Sequence, residues 1–320
     1  MAKSKLLQKV RFKIRRKNYS YHTEKSYTRW IVRFIKFCGT RHPLEIQPKE
    51  IEHFLNYLAV DRKVAASTQN QALCAIIFLY KQVLGKQLPE FEHIQWAKKP
   101  KNLPVVLTRD EVRKVLSHLD GVPLLLARLL YGSGLRISEA IRVRVKDVDF
   151  GYRQLLVRNG KGNKDRITVL PSIAVESLRK QINKVDLLHK RDLKRGYGNV
   201  QLPNALAKKY PGASSSLKWQ YLFPSHRISA DPRTGTKHRY HISDTYIQRK
   251  LHRAVKLSGI SKRASCHTLR HSFATHLLED NYDIRTIQEL LGHKNVKTTM
   301  IYTHVVNQGG KGVKSPVDLV

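Results

Sequence analysis

The segment Lys98-Lys-Pro-Lys-Asn-Leu-Pro104 constrains the fold of this chain more than any other. Two prolines and three lysines in seven residues oppose both a helix and a packed core, so residues 98–104 read as a basic linker between two domains. The chain has 320 residues, enough for a core on each side of that break.

The part before the linker, residues 1–97, is patterned as helices. Tyr27, Trp30, Ile31, Phe34 and Cys38 recur at three and four, and Gly39 stops the run. Pro48 opens a second helix with Ile51, Phe54, Leu55 and Leu58 on one face, and a third runs from about Ser67 to Leu84 before Gly85. Residues 1–20 hold eight Lys or Arg and no acid, the pattern of a tail that lies along phosphates or stays mobile instead of packing.

After the linker, over residues 105–320, the pattern is mixed. Thr108-Arg-Asp-Glu111 has the spacing of a capping box and starts a new helix. Leu124 to Leu130 reads as a buried helix ending at Gly132-Ser-Gly134. Arg153 to Val157 and Arg166 to Leu170 read as short strands, joined by the turn Asn159-Gly-Lys-Gly-Asn163. Over residues 192–242 the pattern breaks into Gly, Pro, aromatic and basic residues, too long for an ordinary connection and therefore a functional insertion. The expected fold is mainly α with a small antiparallel β-sheet.

Sixty Lys plus Arg stand against 24 Asp plus Glu, a formal charge of +36. Such a surface calls for a polyanionic partner. A membrane is the competing partner of a basic chain, but no apolar run approaches the roughly 20 residues a span requires, and no signal-peptide core follows the basic start. Cys38, Cys74 and Cys266 form neither a paired nor a metal-type spacing, as expected for a reducing, cytoplasmic compartment.

The chemistry gathers between His267 and Tyr302. His267-Thr-Leu-Arg270-His271, Leu290-Leu-Gly-His293 and Tyr302 bring imidazoles, a guanidinium and a phenol together, a set able to hold a phosphodiester and attack it without a metal. His267 and Arg270 are three apart at a helix start, where free backbone N–H groups also face an anion. Read alone, His267, His271 and His276 are equally well the polar edges of an amphipathic helix. A zinc site at His267 and His271 is the weaker alternative, since no carboxylate base or third ligand stands beside them.

Gly132-Ser-Gly-Leu-Arg136-Ile-Ser-Glu139, the Gly160-Lys161-Gly-Asn-Lys164 turn, His267-x-x-Arg270, Leu291-Gly-His293 and Tyr302 together resemble the tyrosine recombinases in order and spacing. The resemblance covers the whole chain. It implies a helical N-terminal core-binding domain and a mixed α/β catalytic domain, with no cofactor and no metal. It also implies that Tyr302 attacks the scissile phosphate to form a 3′-phosphotyrosyl link while Arg136 and Arg270 hold the non-bridging oxygens. Lys161 would protonate the leaving 5′ oxygen, His267 assist proton movement from Tyr302, and His293 hydrogen-bond the phosphate; Lys164 is the equally basic neighbour, read as a DNA contact. Glu139 would orient Arg136.

The insertion narrows the resemblance. Gly196-Tyr-Gly-Asn199, Leu202 to Pro211, Trp219-Gln-Tyr-Leu-Phe-Pro224 and Asp231-Pro-Arg-Thr-Gly235 are similar to the extra segment of integron integrases. Those enzymes recombine cassette sites folded from one DNA strand, from which unpaired bases protrude. Trp219, Tyr221, Tyr240 and His241 are the candidates to stack on them, the alternative for Trp219 and Tyr221 being that they pack the insertion onto the domain. The family resemblance further implies that a C-terminal segment, residues 305–320, docks on a neighbouring protomer in a homo-tetramer on two DNA sites. Rival readings are a phage-type integrase or type IB topoisomerase of the same chemistry, and a non-enzymatic DNA-binding protein.

Overall fold

The structure, a computed structural model, describes residues 4–86, 96–98, 103–158, 165–202, 206–303 and 317. They divide into two compact units, parted between Asn102 and Leu103.

The first unit is helical. Helix α1 (Lys5–Arg16) precedes α2 (Tyr21–Phe37), α3 (Pro48–Ala59) and α4 (Ala66–Phe78), and α4 continues as a π-helical turn, Leu79–Leu84, closed by Gly85. Ser20 caps α2 by accepting the Thr23 N–H at 3.1 Å, and the apolar face expected of that helix is buried: Trp30, Ile31 and Phe34. Ile51, Phe54, Leu55 and Leu58 of α3 join them in one core.

Residues 5–16 depart from the expected tail. They form a helix whose Val10 and Ile14 are fully buried in that core. Burying two such side chains contributes about 1.5–3 kcal/mol each, against about 0.2–0.5 kcal/mol for each like-charge pair along a helix, so the apolar i, i+4 pair outweighs the basic composition. Arg15 also reaches Glu24, a carboxylate buried in α2, at 2.8 and 3.1 Å. Ala97, just before the expected linker, is held by Asn70, whose amide donates to its carbonyl and accepts its N–H, both at 3.0 Å. Residues 99–102 of that linker lie outside the described residues.

The second unit starts at α5 (Arg109–Ser117), where the capping box forms: Thr108 N–H donates to Glu111 at 2.7 Å and Glu111 N–H to the Thr108 hydroxyl at 3.2 Å. Helices α6 (Gly121–Gly132) and α7 (Ile137–Ala140) lead into an antiparallel sheet of β1 (Val148–Asp149), β2 (Gln154–Val157) and β3 (Arg166–Val169), ordered β1-β2-β3 with Leu155 opposite Thr168. The Thr168 hydroxyl donates to the Ser133 carbonyl at 2.8 Å, which ties this sheet to the Gly132–Gly134 loop. Helix α8 (Ser172–Lys194) crosses the point where the insertion was expected to begin. Beyond it lie α9 (Leu206–Lys209) and a hairpin of β4 (Pro224–Ala230) and β5 (Lys237–His241). Helices α10 (Asp244–Leu257), α11 (Cys266–Glu279) and α12 (Ile284–Leu291) complete the unit, and the 3₁₀ turn Met300–Tyr302 packs on α11. Mainly helical, with small antiparallel sheets, the fold is of the class expected from the sequence. No described helix is long and apolar enough to cross a membrane.

Candidate active site

Helix α11 is the spine of the site. Ser265 caps it, and Cys266, Thr268, Leu269, Arg270 and Ser272 to His276 are buried, so a guanidinium sits in a nearly all-buried helix. Arg270 is 3% exposed. Its Nη1 donates to the Gly134 carbonyl at 2.5 Å, while Nη2 donates to the Leu291 carbonyl at 2.6 Å and to His293 Nε2 at 3.2 Å. One side chain thus joins the loop before α7, the end of α12 and His293. Burial first, and then the charge of Arg136, push its pKa down to about 9, still protonated at neutral pH.

Two glycines permit this approach. Gly134 has φ +60°, and a Cβ there would lie 2.5 Å from the Phe273 ring. Gly292, the left-handed cap of α12 at φ +63°, would put a Cβ 2.8 Å from Arg166 Cδ.

Arg136 stands at the start of α7. Its Nη1 donates to Glu139 at 2.7 Å and its backbone N–H to the other oxygen at 2.9 Å. Arg166, opening β3, donates to both oxygens of Glu139 at 2.7 and 3.0 Å and to the Leu290 carbonyl at 2.8 Å, and Arg270 lies 3.7 Å from the same carboxylate. Burial alone would raise the pKa of Glu139, but the Arg166 and Arg136 hydrogen bonds hold it at about 2. Three guanidinium groups on one carboxylate leave a surplus of positive charge and of free donors, which is what a phosphodiester requires.

His293 packs between this cluster and Tyr302. With Nε2 accepting from Arg270, Nδ1 carries the hydrogen and donates to the Thr299 hydroxyl at 2.9 Å, and the ring lies parallel to Tyr302 at 6.4 Å. Tyr302 is 1% exposed. Its hydroxyl lies 2.9 Å from His271 Nδ1, and burial raises its pKa. Burial, then His267 and Arg270, push His271 down to about 4, so the imidazole is neutral. His267 stands exposed in the first turn of α11, its pKa lowered by partial desolvation and by Arg270 and Arg136.

The structure therefore brings Arg136, Arg270, His293 and Tyr302 together. Lys161 and Lys164 lie outside the described residues, although β2 and β3 on either side of their turn pair as expected. Sequence reasoning missed Arg166 and the contact of His271 with Tyr302. For His271 the available signal was a polar residue on a helix otherwise patterned for burial; Arg166 had none, since its partners are distant in the chain.

The aromatic candidates form a second cluster with Val200 and Leu202. Tyr221 is buried, its ring 5.3 Å from Tyr240, 5.2 Å from His241 and 4.6 Å from the Arg144 guanidinium. As the structure stands Tyr221 packs the insertion, whereas Trp219, Tyr240 and His241 are partly exposed. Arg144 donates to the carbonyls of Trp219 at 2.5 Å and Gln201 at 2.9 Å, and Lys146 Nζ lies 3.0 Å above the Trp219 ring. Burial keeps His241 neutral, its pKa pushed down to about 4, with Nδ1–H donating to the Ile242 carbonyl at 2.7 Å.

The fold is one seen in site-specific recombinases. It is similar to a lambda integrase fragment solved as a dimer on a core site (TM-score 0.61, 19% identity, 97% of each chain). It is also similar to XerH on its difH substrate before cleavage (TM-score 0.60, 21% identity, 90% of this chain and 78% of that one). Residues 105–308 match the phage integrase family and residues 6–90 the phage integrase N-terminal SAM-like domain. An integrase/recombinase of Escherichia coli is 48% identical over 314 residues, 98% of this chain and 93% of that protein. Tyrosine recombinase XerA of Thermococcus kodakarensis is 31% identical over 290 residues, 89% of this chain and 86% of that protein. The chain belongs to the phage integrase family and is a tyrosine-type site-specific recombinase.

Proposed function

We propose that this recombinase inserts and excises gene cassettes at integron sites, including sites folded from a single DNA strand, through a 3′-phosphotyrosyl link to Tyr302. The observation that carries the chemistry is the convergence of Arg136, Arg166 and Arg270 on Glu139, with His293 and Tyr302 beside Arg270. Arg136 and Arg270 turn their remaining donors to the non-bridging oxygens, and charge that develops on those oxygens is met by fixed guanidinium groups. His293 adds a hydrogen bond to the phosphate once Arg270 exchanges its Nε2 for a phosphate oxygen and the ring carries its hydrogen there; Lys161 protonates the leaving 5′ oxygen, and His267 assists the movement of the tyrosine proton.

The cassette reading rests on the aromatic cluster of the insertion, where Trp219 is held by its backbone and its ring is only partly covered. An extrahelical base stacking there gains about 1–3 kcal/mol, available only from a site with unpaired bases. The charge of +36 supplies the sequence-independent part of binding, through Lys164 among others. Four copies act on two sites in the cytoplasm.

The test uses a single-strand cassette-site oligonucleotide that folds into a hairpin with protruding bases, and its fully paired duplex. The expected result is a covalent adduct that survives denaturant, formed preferentially on the folded strand. Equal cleavage of both substrates would refute the cassette reading, and strand exchange between two sites separates a recombinase from an enzyme that only relaxes supercoils.

A further inference from the structure

We infer that His271, one position beyond the Arg270 guanidinium, is the immediate acceptor of the Tyr302 proton. This rests on the reading of Tyr302 as nucleophile and goes beyond it, because the role of His267 there is only to assist.

The Tyr302 hydroxyl meets His271 Nδ1 at 2.9 Å, whereas His267 stands exposed one turn earlier on the same helix. The neighbouring ring of His293 has no nitrogen to spare. His293 lies parallel to Tyr302 at 6.4 Å, but its Nε2 accepts from Arg270 and its Nδ1 donates to Thr299. Neither nitrogen of His293 has a lone pair to offer the phenol.

A base must start neutral and its partner must start protonated. Burial keeps His271 neutral and raises the phenol, so at neutral pH the phenol keeps its hydrogen and the imidazole carries one. The inference requires the tautomer with that single hydrogen on Nε2, which leaves the Nδ1 lone pair to accept from the Tyr302 hydroxyl. Part of what weakens His271 as a base is the positive charge of Arg270, its neighbour in sequence. A phosphate oxygen seated on Arg270 offsets that charge, so His271 gains basicity at the moment a scissile phosphate is in place.

The step balances. Tyr302 Oη attacks phosphorus, its O–H bond breaks and the proton passes to His271 Nδ1. As the Oη–P bond forms, the P–O5′ bond breaks, and the departing oxygen takes its proton from Lys161. On rejoining, the 5′ hydroxyl attacks phosphorus and returns its proton to Lys161, the Oη–P bond breaks and the proton on Nδ1 returns to the phenol.

The experiment measures single-turnover adduct formation on the folded cassette-site oligonucleotide, nicked so that the cleaved end is lost and the adduct is trapped. Glutamine can hold the phenol by a hydrogen bond but cannot take its proton. His271→Gln and His271→Ala should therefore both slow the adduct by about 100-fold or more, the usual range for loss of a general base. Imidazole in solution should accelerate His271→Ala, and His267→Gln should be slowed less than His271→Gln. DNA affinity should stay within a few-fold of wild type throughout.

A His271→Gln rate equal to wild type, no response of His271→Ala to imidazole, or a larger defect in His267→Gln would overturn the assignment. If the variants do not fold, ¹⁵N spectra of wild-type histidines decide: His271 should carry its hydrogen on Nε2, and a hydrogen on Nδ1 would overturn the inference. Tyr302→Phe separates the two readings. An adduct from Tyr302→Phe removes the nucleophile and this inference with it. No adduct from Tyr302→Phe, with a wild-type rate in His271→Gln, removes the inference alone.

Discussion

Around Glu139 three guanidinium groups converge on one carboxylate, whereas around Arg144 a single guanidinium is held by two backbone carbonyls and lies over two aromatic rings. In the first region the anion is outnumbered, so donors and charge are left over. In the second, both Nη groups of Arg144 are bound to the insertion's own backbone, and burial lowers the pKa of the group. The same residue type thus does two different things. The first cluster has the surplus charge and donors to receive an anion, and the second is a strap that fixes an aromatic surface. Substrate chemistry should therefore depend on the first region and substrate shape on the second.

The largest expected effect comes from Tyr302, the proposed nucleophile. Tyr302→Phe should abolish the covalent adduct while DNA affinity stays within a few-fold of wild type, since one hydroxyl among many phosphate contacts contributes little binding. The wild-type adduct should form in excess EDTA, with guanidinium groups in the place a metal would take. A normal adduct yield from Tyr302→Phe, or loss of wild-type cleavage on chelation, would break the division of labour between the two regions.

Glu139→Gln should follow. Removing one partner of a buried ion cluster leaves the arginines uncompensated and costs about 3–5 kcal/mol of stability, measured by urea unfolding at pH 7. Glu139 has a folded pKa of about 2, below its ordinary 4.5, so its stabilising contribution is complete above pH 4.5 and fades as pH falls toward 2. The gap between wild type and variant should accordingly narrow at pH 3. A gap of the same size at both values would show that the carboxylate's charge is not what holds the cluster.

What could be read in advance divides along similar lines. The Thr108–Glu111 capping box is a short-range pattern whose geometry follows from neighbours in the chain, whereas Arg136, Arg270, His293 and Tyr302 were legible only through a resemblance in order and spacing, since contacts such as Arg270 to Gly134 span 136 residues. Arg166 is 27 residues from Glu139 and 124 from Leu290, and no local pattern announces such a partner. His271 was visible as a histidine, but its choice of Tyr302 depends on how the 3₁₀ turn settles against α11. The β4–β5 hairpin was hidden because its strands are rich in His, Arg and Ser, without the apolar alternation that marks a half-buried sheet. Basic composition likewise masked the Val10 and Ile14 pair of α1.

Arg144→Met tests the strap. Methionine keeps much of the volume but leaves the Trp219 and Gln201 carbonyls without their donor, at about 1–3 kcal/mol for each buried acceptor. Hydrogen exchange should rise over residues 198–222, and binding to the folded site should fall more than binding to the duplex. The Glu139 cluster should be untouched, so any adduct formed on the duplex should appear at the wild-type rate. A parallel loss on both substrates would mean that the two regions form one cooperative unit.

Trp219→Ala is the smallest and most discriminating change, because Arg144 grips the carbonyl of Trp219 and alanine keeps that carbonyl. The strap should remain while the ring is lost. Lys146 gives up a cation–π contact at 3.0 Å and Arg144 one at 5.5 Å, at about 0.5–1 kcal/mol each, and these costs set how far the melting temperature should move. Binding to the folded cassette site should weaken by about 1–3 kcal/mol, the scale of one base–aromatic stack. Affinity for the paired duplex should hardly change, since its bases stack on one another and phosphate contacts dominate. Equal losses on both substrates would mean that Trp219 serves general phosphate binding through Lys146. A fall in stability well beyond the cation–π cost would mean that the ring packs the insertion as Tyr221 does, and recognition of protruding bases would then rest on Tyr240.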